Sequence, residues 1–446
     1  MAIYNSESGD ITMVLTGESL ITRRMSVFTE PQFLKMKEVL QDAHVTFTNA
    51  EMLFHNYGHE PNPHQSGTYM RSDPANIKEL QWLGINLVSC ANNHGYDFGQ
   101  GGVQENIRHL NEAGLVHAGS GSNLAEARAP AYLDTDAGRV ALISVTDSGP
   151  AEGQAGEQRR DMQGRSGVNW LRHTAEYTVD RPTFDALHHM SEELGFEARK
   201  GFMNSIVDTD TEFHLMGQPM YSPVPALKFV LGESFGRRRV PNKYDMDQIL
   251  QRVSDARRMA DWVIVTMHNH EGGATAEDPG EHAVDLAKAS IDAGADVYVG
   301  HGPHRDKGTE IYKGKPIFYS LGDFVMQNDT VELMPQDNYL RQGLDWDAVP
   351  ADFYDNRSSL DTKGMPADPL QWESTMARVV FKGSKLSEIK LYPLDLGFRR
   401  SRGSRGRPLL AEGDVARSVL ERMQSMSNKY GTSIAIENGT TQVKVS

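Results

Sequence analysis

The sequence predicts a layered α/β fold built on parallel strands, and two observations carry that expectation. Apolar runs recur that each stop at small or polar residues, and amphipathic helical stretches lie between them. Such runs are what strands buried on both faces look like, and their alternation with helices is the signature of βαβ units.

In chain order, ITMVLTG (11–17), VTFTNAE (45–51), INLVSCANN (85–93) and VALISVTDS (140–148) read as strands of a first half. PQFLKMKEVLQDA and GGVQENIRHLNEAG read as helices, the second closed by a glycine suited to a C-cap. The regularity stops near residue 149, where GPAEGQAGEQRRDMQGRSG is polar and Gly-rich. From there to 248 the sequence offers weak helices and no clean strand series, which reads as an inserted, lid-like segment. Alternation resumes with DWVIVTMHNHEGG, GEHAVDLAKASIDAG, ADVYVGHGPH and KPIFYSLGDF. The expected organisation is a core formed by 1–148 and 249–330, an insertion at 149–248, and a C-terminal extension at 331–446 that completes the sheet layers. Within that extension 376–394 reads as a hairpin, 413–429 as a helix, and the last residues as a short strand pair.

Composition narrows the function. A net charge of −15 argues against a nucleic-acid or anionic-membrane surface, and no apolar run approaches the ~20 residues that span a bilayer. Cys90 is the only cysteine, which rules out an internal disulfide and suits a reducing compartment. The start, MAIYNSESGDITMVL, lacks the basic head and long apolar middle of a secretory signal. The expectation is a stand-alone cytoplasmic enzyme.

Polar residues become informative because of where they fall. In parallel α/β sheets the carboxyl ends of strands open onto the ligand crevice. Here those ends carry Glu18, then Asn49 and Glu51, then Asn93 and His94, then His268, then His301 and His304. Each alone has an ordinary reading: Glu18 as a helix cap, Asn93 as a turn residue, His94 or His268 as a satisfied semi-buried imidazole. Five strand ends that converge on carboxylate, amide and imidazole are instead what a divalent ion such as Zn, Mn or Fe accepts. In GHGPH, glycine allows close backbone approach and Pro303 stiffens the loop between the two imidazoles.

TGES, TNAE, ANNHGYDFGQGG, MHNHEGG, GADVYVGHGPH and IFYSLGDF resemble the successive motifs of the CapA family, the poly-γ-glutamate capsule synthesis proteins of the calcineurin-like metallophosphoesterase superfamily. The likeness covers roughly 10–148 and 249–330. It implies a four-layer α/β/β/α sandwich whose strand-end loops hold one or two divalent ions, with Glu18, Glu51, Asn93, His268, His301 and His304 around the metal position. It also implies His94 as the catalytic histidine and Glu51 as the carboxylate shared between ions. The chain departs from the pattern at Glu18, where the family has aspartate, and at Leu20, where the superfamily has a histidine. A third departure is Asp323, where the family has asparagine; it adds a catalytic carboxylate candidate.

Arg23 and Arg24 lie just past the first strand end, Arg237 and Arg238 in the insertion, and His270 and Glu271 beside His268; these are the candidate substrate contacts. The late arginines, 399–407, read as a solvated loop, and Trp170 as either a pocket wall or core. The expected activity is a metal-dependent hydrolase acting on a small anionic amide or peptide-like, γ-glutamyl substrate. Two other readings stay open: a phosphoesterase, and a metal-poor polyanion-binding or epimerase-like protein.

Overall fold

The computed structural model describes residues 9–65, 67–200, 208–215, 227–437 and 439–444. The chain divides into two compact units, the first made of 1–170, 247–279 and 283–446, the second of 171–246 and 280–282. No helix among the described residues is long and apolar enough to cross a membrane.

The first unit is built on two sheets. In the ten-stranded sheet, Asp10–Leu20, Val45–Ala50, Leu87–Ser89 and Val116–Ala118 run parallel, while Glu373–Lys382 and Lys385–Asp395 extend it as an antiparallel hairpin beside Asp10–Leu20. In the six-stranded sheet, Gly138–Thr146, Trp262–His268, Val297–His301 and Lys315–Leu321 are parallel.

Side-chain alternation along each strand explains why the two sheets stack. Ile11, Met13, Leu15 and Phe47 of one sheet and Leu142, Trp262, Ile264, Val299 and Phe318 of the other form a single buried cluster. The outer face of the first sheet packs Val14 and Val88 against Phe33, Met36, Leu80 and Leu110 of its crossover helices. Val263, Val265 and Met267 point away from the inter-sheet core and are equally buried, as are Leu286 and Ala287 of the helix that joins two parallel strands. That helix must cross on the outer face, because the inner face is already filled. The result is the expected α/β/β/α sandwich.

The parallel strands of both sheets end on one side, which sets five polar strand ends beside one another. Burial of one large residue in the inter-sheet layer, such as Phe318, is worth roughly 3–5 kcal/mol against truncation to alanine, ample to hold the ends in place.

The second unit corrects the reading of 149–248. Residues 149–170 belong with the first unit, and 171–246 contains a four-stranded sheet, Glu212–Leu215, Leu227–Leu231, His173–Val179 and Gly236–Pro241. Its strands leave no plain signal in the sequence because only one face is apolar, with Val179, Phe213, Phe229 and Leu231 on Phe184 of the helix Arg181–Glu193. The other face carries charge, so no continuous apolar run appears. Asp180 caps that helix, accepting from the Thr183 amide at 3.0 Å.

Candidate metal centre

Backbone geometry puts the first carboxylate where it stands. A Cβ at Gly17 would lie 1.7 Å from the Gly322 carbonyl oxygen, so only glycine lets the two segments touch. Glu18 N then donates to that carbonyl at 3.1 Å, and Glu18 becomes the register partner of Asp323 on one side and Asn49 on the other. In the second sheet His268 and His301 are register partners. Gly302 follows at φ +122°, pressed on the Asn269 backbone, and His304 is held at φ +53°, a strained setting for a residue with a side chain.

These placements bring the polar groups together. Glu18 Oε1 lies 2.9 Å from His268 Nδ1, and Glu18 Oε2 lies 3.0 Å from His304 Nδ1. Asp323 Oδ1 is 2.8 Å from the same His304 nitrogen. His304 Nε2 and His268 Nε2 lie 3.8 and 3.9 Å from Glu51 Oε1, and His270 Nε2 is 3.0 Å from His268 Nε2. Two neighbouring ligand sets emerge that share Glu51: Glu18, Glu51, His304 and Asp323 in one, and Glu51, His268 and His270 in the other. A third set, Glu18, His268 and His301, overlaps both.

Hydrogen bonds fix several tautomers. Thr266 Oγ1 donates to the Val299 carbonyl at 2.7 Å, so it accepts from His301 Nε2 at 2.7 Å, which leaves His301 Nδ1 bare toward His268. His94 Nδ1 donates to Asp97 Oδ2 at 2.6 Å, and Asp97 is itself held by Gln65 Nε2 and the Met70 amide. His94 Nε2 is thereby left 3.9 Å from Glu51 Oε1.

The electrostatics are those of crowded, dry carboxylates. Burial pushes Glu51 well above the ordinary carboxylate range, and the charges of Glu18 and Asp323 push the same way. Glu18 is also driven up by burial, yet His304 and His268 together pull it well below that range. Asp323 rises to about 6 through burial, against the pull of His304. Burial opposes protonation of His304, but Asp323, Glu51 and Glu18 raise it well above the usual value, whereas His301, dry and beside His268, falls to about 3.

The residues fit a metal. Both oxygens of Glu51 and Asp323 Oδ2 are buried acceptors without a hydrogen-bond donor, and Glu18 Oε2 meets the His304 ring. Buried polar atoms are ordinarily paired, and several unpaired acceptors drawn from one small cluster call for cations. The set is mixed oxygen and imidazole nitrogen with no thiolate, which suits Zn, Mn or Fe.

Not every expected residue joins this cluster. Arg23 donates to Thr330 Oγ1 at 3.1 Å, to the Arg405 carbonyl at 2.8 Å and to the Gly403 carbonyl, which holds its guanidinium against the 403–405 loop. Arg24 is exposed and pairs with Glu79 at 3.5 Å. Arg237 and Arg238 are exposed on a strand of the second unit, and Glu271 follows His270 half-buried. The late arginine loop is corrected. Arg405 is 2% exposed and bound to Asp329 and Asp361, while Arg407 meets Glu30. Asp97, Gln65 and Thr266 were not anticipated from the sequence. Asp97 had a local signal, a carboxylate three residues after His94 in a tight turn, whereas Gln65 and Thr266 had none.

The family model for the bacterial capsule synthesis protein PGA_cap matches residues 7–328. The uncharacterized protein y4sH of Sinorhizobium fredii is 33% identical over 96% of this chain and 91% of its own. The capsule biosynthesis protein CapA of Bacillus anthracis is 23% identical over 72% of this chain and 61% of its own. A probable polyglutamine synthesis accessory protein of Mycobacterium tuberculosis is 27% identical over 57% of this chain; the match spans about half of that relative.

Proposed function

The chain belongs to the bacterial capsule synthesis protein family PGA_cap, and from that premise we propose that it is a metal-dependent hydrolase of an anionic amide or peptide-like substrate, of the γ-glutamyl class. The observation that carries the reading is the convergence of Glu18, Glu51, His304 and Asp323, with unpaired oxygens on Glu51 and Asp323, beside Glu51, His268 and His270. Names of relatives that refer to capsule and polyglutamine synthesis support the substrate class.

Glu18, Asp323 and His304 would hold one cation and His268 with His270 a second, Glu51 serving both. Bound there, divalent ions supply Lewis acidity and lower the pKa of water toward neutrality. The chain's own residues manage the proton. Asp97 fixes the orientation of the His94 ring, so that Nε2 can carry a proton to a leaving amine. Asn92 aims the turn, its Oδ1 accepting from the His94 amide at 3.1 Å and its Nδ2 donating to the Ala50 carbonyl at 2.8 Å.

The test is a panel of γ-glutamyl peptides, simple amides and phosphoesters, each with Mn or Zn added. Metal-dependent cleavage of the γ-glutamyl members is expected. Turnover of phosphoesters alone would make the protein a phosphoesterase, and turnover that survives full metal removal would end the metal-based account.

A further inference from the structure

We infer that the protein has a second small-molecule site, beyond the hydrolase reading, which takes a compact carboxylate bearing a hydroxyl or amine donor at its other end. It lies past the end of the strand Asp323–Met326 that is remote from Asp323. A cavity of about 170 Å³ opens there, close to the ~150 Å³ that admits a benzene ring. Met326, Tyr354, Met365, Pro366 and Trp372 give it apolar walls.

Asp329 supplies the polar contact. It lines the cavity and is 7% exposed. Its Oδ2 accepts from Arg405 Nε at 2.8 Å and from Nη2, while Oδ1 is buried without a partner. Arg405 cannot supply the missing bond, because Nη1 is committed to Asp361 Oδ2 at 2.7 Å and the guanidinium sits 4.9 Å from the Trp372 ring centre. A ligand hydroxyl or amine is the group that completes Asp329.

The rim is of the opposite sign. Arg357 and Lys363 line the cavity and are exposed, and Lys363 has no ion-pair partner among the described residues. Between them the chain passes through Ser359, Leu360 and Asp361 at φ +49°, +57° and +61°. Three successive non-glycine residues in the left-handed region are the kind of strain that ligand clamps retain. The carboxylate of the ligand then meets the cationic rim while its apolar body fills the cavity.

Calorimetric titration tests this with 4-hydroxybenzoate and 4-aminobutyrate as probes, and with benzoate and 4-hydroxybenzyl alcohol as partners that lack the donor or the carboxylate. At least one of the first two should bind with Kd below about 1 mM, and each truncated partner at least about tenfold more weakly. Met365→Trp, which fills the cavity, should abolish binding, and Lys363→Ala should weaken it, both without change in metal content. Asp329→Asn should lose the preference for a donor; if that variant fails to fold, the other two decide. No binding by either probe up to about 10 mM, benzoate as tight as 4-hydroxybenzoate, or undiminished binding in Met365→Trp would overturn the site. None of these outcomes depends on hydrolase activity.

Discussion

Glu18 and Asp323 are register partners on adjacent parallel strands, with no residue between them to separate their carboxylates. Glu51 joins them in a pocket with no exposure of its own. Three acidic groups so close, ringed by imidazoles that include His304, His268 and His94, are tolerable chiefly if cations bind.

Glu51→Gln should therefore leave the metal-free protein no less heat-stable than the wild type, because burial and the neighbouring carboxylates already push Glu51 toward its neutral form. At this chain length a stability change of about 1 kcal/mol moves Tm by only about 1 °C. Chelator should lower Tm of the wild type and leave the variant unchanged. A variant that is both less stable without metal and still chelator-sensitive would contradict the shared role of Glu51.

His94→Ala should retain full metal content and lose turnover by about 10²–10⁴-fold, as expected of a proton carrier that is not a ligand. Asp97→Asn should lower kcat in the same direction, since it replaces the charged acceptor of His94 Nδ1 with a neutral amide. Elemental analysis beside steady-state kinetics separates the roles, and loss of metal in His94→Ala would refute this division.

Much of this was legible in the sequence because parallel strands announce themselves as apolar runs with a polar final residue. Glu18, Glu51, His268 and His301 end such runs, and the structure brings them together. What sequence reading could not supply was contact between distant segments. The Gly17–Gly322 approach that sets Asp323 beside Glu18 depends on a close backbone meeting across two sheets. The docking of Arg23 on the 403–405 loop is likewise a matter of two loops meeting, which distance along the chain does not show. The strands of the second unit were hidden because a sheet covered on one face shows no continuous apolar run.

Lys307 is a positioning residue for the turn that carries His270. It is 3% exposed, and Nζ donates to the carbonyls of Asp278 at 3.0 Å and Glu271 at 3.4 Å, with burial pushing its amine down to about 8. Lys307→Met should lower kcat and the metal content together, because the loosened turn carries His270. Unchanged kinetics with an intact fold would show that the turn holds itself.

His55 sets an acid limit on stability. Its ring is fully buried against Phe98 at 4.2 Å, its Nδ1 accepts from the Tyr57 amide, and burial followed by the Arg71 charge lowers it to about 4. The unfolded chain binds this proton below about 6.5 and the folded chain only below about 4. Stability from this group is complete above the first value and is lost as pH falls to the second, a total on the order of 3 kcal/mol. His55→Asn should flatten the slope of unfolding free energy between those values, measured by urea titration at several pH values; an unchanged slope would show that His55 is not the group responsible.

The most direct test is elemental analysis of protein purified without chelator from metal-replete cells, run beside Glu51→Gln. About two divalent ions per chain are expected in the wild type, falling to less than half of that in the variant. A fully active wild type that carries essentially no metal, or a Glu51→Gln variant that retains the full complement, would contradict the account.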